Sequence, residues 1–129
     1  MIKPNTVLFL IAASVLAVVH FLSLELYLYW RYLWLDMPMH VLGGAVVALG
    51  VFVAYDLSAS LPQRWLRIIP VMSAVLIVAL SWEVYEVAIG IPIDAEYVRD
   101  TLLDLCMGIL GGLIGFVVGT SLHNLNKEI

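Results

Sequence analysis

Positive charge is scarce in this chain: lysine and arginine together number six, against ten aspartates and glutamates, for a formal charge of −4. So few cations make no basic stripe, which excludes a nucleic-acid partner. Charge of either sign is thin as well, at 12% of the 129 residues, where an ordinary soluble domain carries roughly 25%. A small soluble chain must cover a large surface fraction with polar groups, and this one has too few. Cysteine occurs once, as Cys106 inside an apolar run. An intrachain disulfide and a Cys-based zinc site are therefore excluded, and a buried, inert thiol is expected. Long linkers, low-complexity tracts and residue-level repeats are absent too, and the length allows one domain.

What the chain does have is hydrocarbon. Hydrophobic residues make up 64% of it and the mean hydropathy is +1.06. A bilayer core of ~30 Å needs about 20 apolar residues per helix, and four stretches qualify. They run from Val7 to Trp30, from Met37 to Tyr55, from Ile68 to Ile93 and from Thr101 to Leu122. Barrel strands are short and alternate in polarity, so the expected fold is all-α, a transmembrane four-helix bundle in a single domain. Lys3 ahead of an apolar run resembles a signal peptide. No small-x-small cleavage site follows, however, and the run continues into Tyr27, Tyr29 and Trp30, which predicts a retained helix. Tyr27, Tyr29, Trp30, Tyr32 and Trp34 form an aromatic belt, and Trp65 between Arg64 and Arg67 marks another interface. Pro38, Pro62, Pro70 and Pro92 fall at or near the proposed helix ends.

The basic residues orient the chain. With a cytoplasmic N-terminus, Lys3, Arg64, Arg67 and Lys127 lie inside while Arg31 and Arg99 lie outside. The positive-inside rule thus predicts a multi-pass protein of the bacterial inner membrane with both termini cytoplasmic.

Threaded this way, the acids gather at the outer face. Asp36 and His40 open the second span, Glu83 and Glu86 lie in the outer half of the third, and Asp100 and Asp104 open the fourth. Spacings of three or four residues put each pair on one face of its helix. Gly108, Gly111, Gly112, Gly115 and Gly119 continue the stripe below Asp104, and small residues at this spacing let helices approach closely in lipid. Gly43, Gly44 and Gly50 are candidates for the same role below His40. On the first helix Ala13, Ala17, His20, Leu24 and Arg31 share a face, which points His20 inward.

A charge at mid-membrane costs about 2.5–3.5 kcal/mol on insertion scales, so inward carboxylates require compensation. They share protons, pair with Arg31, Arg99 or the histidines, bind a cation, or face a water-filled cleft. Carboxylates with imidazole suit Mg, Mn, Zn or Fe. The Glu-x-x-Glu spacing is not the Glu-x-x-His of carboxylate-bridged di-iron bundles. Taken singly, each residue has a structural explanation. Glu83 and Glu86 can reach headgroups, Asp100 can cap the helix that Thr101 opens, and His40 can donate to a carbonyl. Taken together, groups from three helices at one depth point to a cleft.

The segments "LDMPMHVLGG", "SWEVYEVAIG" and "VRDTLLDLCMGILGGLIG" resemble the VanZ-like group of small bacterial membrane proteins. The resemblance covers the second to fourth spans, and Asp36, His40, Gly44, Glu83, Glu86, Arg99, Asp100 and Asp104 fall at positions of its pattern. Where many members carry an Asn after the second Asp, this chain has Met107 and Gly108. The resemblance implies an inner-membrane protein of four to six helices, in some members linked to glycopeptide resistance, and no defined reaction.

Three functions are compatible with these residues. The first is a site that binds or processes a lipid-linked cell-envelope molecule. There His40 or Glu83 acts as base, while Asp36, Glu86, Arg99, Asp100 and Asp104 bind the substrate or a cation. A divalent metal would draw its ligands from His40, Glu83, Glu86, Asp100 and Asp104. The second is a proton- or cation-handling transporter subunit, for which four short helices require a homo-oligomer. The third is a non-catalytic module whose polar cluster only fixes helix packing. Covalent catalysis has no support, because no serine or cysteine sits in a nucleophile motif. Membrane lipid is the expected partner throughout.

Overall fold

The computed structural model describes residues 3–58, 60–90 and 97–128, and every regular element among them is a helix. Helix α1 (Pro4–Glu25) opens on a proline, whose fixed φ suits a first helical turn. Its 22 residues rise about 33 Å, enough to cross the hydrocarbon. The apolar run predicted continuation to Trp30, but the helix stops at Glu25. Tyr27 adopts left-handed backbone with φ 54°, and the chain restarts as α2 (Leu28–Arg31). A left-handed residue costs roughly 1–2 kcal/mol. The break is offset by burial of Tyr29, which is 3% exposed and packs with Met39. Arg31 therefore belongs to α2 and does not share a face with His20.

A 3₁₀ turn, Leu33–Leu35, leads into α3 (Asp36–Leu57), and a second, Gln63–Leu66, precedes α4 (Ile68–Ile89). Helix α4 was expected to reach Ile93. It ends instead at Gly90, whose φ of 71° is the left-handed stop that glycine allows at low cost. Positions 91–96 lie outside the described residues. Helix α5 (Tyr97–Glu128) overruns the apolar stretch Thr101–Leu122 at both ends. Hydropathy marks only the part in hydrocarbon, whereas the backbone ladder continues through polar residues. Asp100 is consequently inside the first turn of α5 and is not its cap.

The protein is a membrane bundle in which four helical segments, Pro4–Glu25, Leu33–Leu57, Ile68–Ile89 and Val98–Asn126, are long and apolar enough to span. Helix α1 is outermost, with 6% of its span window buried against 39% for α3. The tightest contact joins α3 to α5. A methyl on Gly44 would collide with the carbonyl oxygen of Gly108, and one on Gly111 with that of Val41. On Gly115 it would come 2.6 Å from the Ala45 carbonyl, and on Gly112 it would come 2.8 Å from a Val75 methyl of α4. Backbone approach of this kind replaces the hydrophobic effect as the force between helices in lipid. Gly43 differs: nothing lies within 4 Å of the position a side chain would take. Beneath this seam Ala48, Phe52, Val71 and Val75 form the core.

Cys106 is exposed on the bundle surface, contrary to the buried thiol expected. Two residues along a helix turn a side chain about 200°, so Cys106 points away from the face that carries Asp104 and Gly108.

The two ends of the bundle differ. At one, Lys3 Nζ pairs with Asp56 Oδ1 at 2.8 Å and Asn5 Nδ2 donates to the Gly119 carbonyl at 3.3 Å. These contacts bring the start of α1 together with the ends of α3 and α5. At the other end the starts of α3 and α5 meet the end of α4.

A candidate cation site between three helices

The meeting of α3, α4 and α5 is where the acids gather. Asp36 and His40 lie one turn apart on α3, Glu83 and Glu86 on the last turns of α4, and Asp104 near the start of α5. The positive dipole ends of α3 and α5 face these carboxylates, which favours negative charge there. His40, Glu83, Glu86 and Asp104 are all buried, at 6, 8, 9 and 2% exposed.

One atom sits at the centre. His40 Nε2 lies 3.5 Å from Asp36 Oδ2, 3.6 Å from Glu86 Oε1 and 3.9 Å from Asp104 Oδ1. Good hydrogen bonds to oxygen are 2.7–3.2 Å, and Nε2 makes none. Glu83 Oε1 and Asp104 Oδ2 are likewise buried without a hydrogen-bond partner. A buried polar atom without a hydrogen bond costs about 1–3 kcal/mol, and His40, Glu83 and Asp104 each carry one where their side chains meet. Two sets of three residues offer ligand atoms within 4.8 Å of one another: Asp36, His40 and Glu86, and His40, Glu83 and Asp104.

The sets are not equivalent. Glu86 Oε1 already accepts from Trp82 Nε1 at 2.6 Å, and the Asp36 side chain is 20% exposed. All three unpaired atoms belong to His40, Glu83 and Asp104. Their two carboxylates offset the charge of a divalent ion, and imidazole with carboxylate oxygens is a donor set for Zn, Mn or Fe.

A second layer supports the first. The His20 ring lies edge-on to Trp82 with centroids 4.9 Å apart, so Trp82 is held by α1 while its N–H holds Glu86. His20 Nδ1 is 2.9 Å from the Tyr29 hydroxyl and Nε2 is 3.5 Å from that of Tyr85. Burial, reinforced by Asp36, pushes the Tyr29 phenol up, which keeps its proton in place. The inward His20 was legible from spacing. Trp82, Tyr29 and Tyr85 were missed, although Trp82 and Glu86 are four residues apart and that spacing was available.

Of the residues singled out from sequence, Asp36, His40, Glu83, Glu86 and Asp104 come together. Asp100 is half-buried one turn before Asp104, and Arg99 is exposed beside it. Neither joins the two cation-sized sets among the described residues.

Beside His40 the bundle holds a partly open apolar cavity of about 120 Å³ lined by Leu16, Met39, Val47, Val78 and Trp82, with Gly43 on its wall.

One protein family matches the chain, over residues 3–125, and it is described as "Predicted membrane protein (DUF2238)". No curated protein and no solved structure matches.

Proposed function

The chain belongs to that family of membrane proteins, and on this premise we propose that it holds a divalent cation for recognition of a lipid-linked cell-envelope molecule. His40, Glu83 and Asp104 are the ligands in this reading. Asp36 and Glu86 remain for the polar headgroup. The observation that carries it is the trio of unpaired buried atoms, His40 Nε2, Glu83 Oε1 and Asp104 Oδ2. His40 then serves as a ligand, and the part of general base falls to a carboxylate.

The apolar cavity against His40 supports an amphipathic ligand, with its head at the cation and its chain beside Gly43. The resemblance of three segments to VanZ-like proteins supports a bacterial inner-membrane setting. With both termini cytoplasmic, the site faces the cell envelope. Access from that end alone is favoured over conduction through one chain. Below the cluster, α3 and α5 meet backbone to backbone at Gly44, Gly108 and Gly111, which closes a path between these two helices.

The test is elemental analysis of protein purified in neutral detergent without chelator, followed by titration with Mn²⁺ and Zn²⁺. About one ion per chain is expected, lost in His40→Ala and Asp104→Asn variants that remain helical by circular dichroism. Failure of the purified protein to take up any of these ions would sink the reading.

A further inference from the structure

The opposite end of the bundle carries its own polar cavity, which shares no residue with the His40 cluster. Its volume is about 380 Å³, and its polar lining comes from Gln63, Arg64 and Arg67 before α4 and from Thr120, His123 and Asn124 on α5. Phe52 and Leu66 complete the lining, so polar groups from two elements share the pocket with apolar walls.

The charges are available. Arg64 and Arg67 are both exposed, and among the described residues no carboxylate pairs with either guanidinium. One acid near His123 is Asp56, whose Oδ1 is 3.9 Å from His123 Nδ1, and it is already engaged by Lys3 at 2.8 Å. Thr120 Oγ1 is buried without a hydrogen-bond partner. Arginine forks suit phosphate oxygens in two-point contact.

A second cavity adjoins the first through the same two arginines. It holds about 430 Å³ and is lined by Arg64, Trp65, Arg67, Ile68, Ile69 and Pro70. Ile68 and Ile69 are 47 and 76% exposed, on the side where a bilayer would lie, and Trp65 is the residue type that sits at headgroup level. A polar chamber and an apolar groove joined at two arginines match a molecule with a phosphate at one end and an acyl chain at the other. We propose that this pocket binds the phosphate-bearing headgroup of an anionic membrane lipid. The lipid would brace the α3–α4 connection against the end of α5.

The experiment uses the full chain in neutral detergent, with binding read by native mass spectrometry and by thermal unfolding. The probes are phosphatidylglycerol, phosphatidylcholine and inorganic phosphate. Phosphatidylglycerol should bind and raise the unfolding temperature, and phosphatidylcholine should do neither. Arg64→Gln with Arg67→Gln should weaken phosphatidylglycerol roughly 30-fold, the effect of removing two interfacial cations. Arg31→Gln, at the other end, should leave it unchanged. If the double Gln variant does not fold, Arg64→Lys with Arg67→Lys keeps the charge, removes the fork and should bind several-fold more weakly. Equal retention of phosphatidylcholine would overturn the assignment, as would unaltered phosphatidylglycerol binding in the variants. Displacement of the lipid by millimolar inorganic phosphate would assign the pocket to a soluble anion instead.

Discussion

Gly44 and Gly108 touch so closely that a methyl on the first would occupy the space of the second's carbonyl oxygen. His40 lies one turn before Gly44 on α3, and Asp104 lies one turn before Gly108 on α5. The 3.9 Å between His40 Nε2 and Asp104 Oδ1 is therefore fixed by a backbone contact immediately beneath it. Glycine at this crossing is what lets an imidazole and a carboxylate from different helices share one space.

Replacing Gly44 or Gly111 by Leu should accordingly force α3 off α5. Overpacking of a tight contact typically costs about 1–3 kcal/mol, read as a lowered unfolding temperature in detergent. Val117, 61% exposed on another face of α5, should accept Leu within about 0.5 kcal/mol. If Gly44→Leu and Gly111→Leu leave stability untouched, the seam is not where the bundle is held.

Substitutions in the cluster should be non-additive. Groups that hold one ion and the headgroup bound to it act as a unit, so losing one partner already dismantles it. Glu86→Gln and Asp104→Asn are each expected to abolish the phenotype the protein confers at normal membrane levels, and the double variant should add little. A pure packing role gives a different pattern, because apolar replacement of a buried charged network is often neutral or stabilising. Full activity in a folded Glu86→Leu, Asp104→Leu protein would leave only that role.

Gly43 separates binding from packing. Its side-chain position is open, on the wall of the apolar cavity, so Gly43→Leu should fill that cavity with little change in stability. Cation content should stay normal while the amphipathic ligand is lost. Retained activity with a filled cavity would remove the lipid chain from that slot.

The orientation is testable with single cysteines in a Cys106→Ala background. Leu33 is 68% exposed at the end that holds the cluster, and Ser60 is exposed at the end that holds the termini. In intact cells an impermeant thiol reagent should label Leu33→Cys and spare Ser60→Cys. The opposite pattern would invert the protein in the membrane.

The four spans were legible because hydrocarbon thickness imposes a minimum apolar length, and Asp36, His40, Glu83, Glu86 and Asp104 were legible because helical spacing and common depth are arithmetic. The ends were not. Tyr27 breaks α1 inside a stretch that stays apolar apart from His20 and Glu25, and α5 continues through polar residues that hydropathy does not count. Rotation was harder still. A helix bathed in lipid is apolar all round, so nothing in its pattern says that Gly44 faces Gly108 while its neighbour Gly43 faces open space. The same ambiguity hid Trp82, whose ring answers to His20 on α1 and whose N–H answers to Glu86 on its own helix.

The order of synthesis gives the cluster a further consequence. His40 enters the bilayer with α3, Glu83 and Glu86 follow with α4, and Asp104 arrives last with α5. Each ionised carboxylate at membrane depth costs about 2.5–3.5 kcal/mol until it is enclosed. With α3 and α4 alone, His40 already lies beside Asp36 and Glu86, and α5 adds Asp104 as the last acid of the cluster. The set formed by His40, Glu83 and Asp104 therefore exists only once α5 is in place. A chain stalled before α5 keeps the Asp36–His40–Glu86 set and lacks the other, so the two sets separate in the order of synthesis.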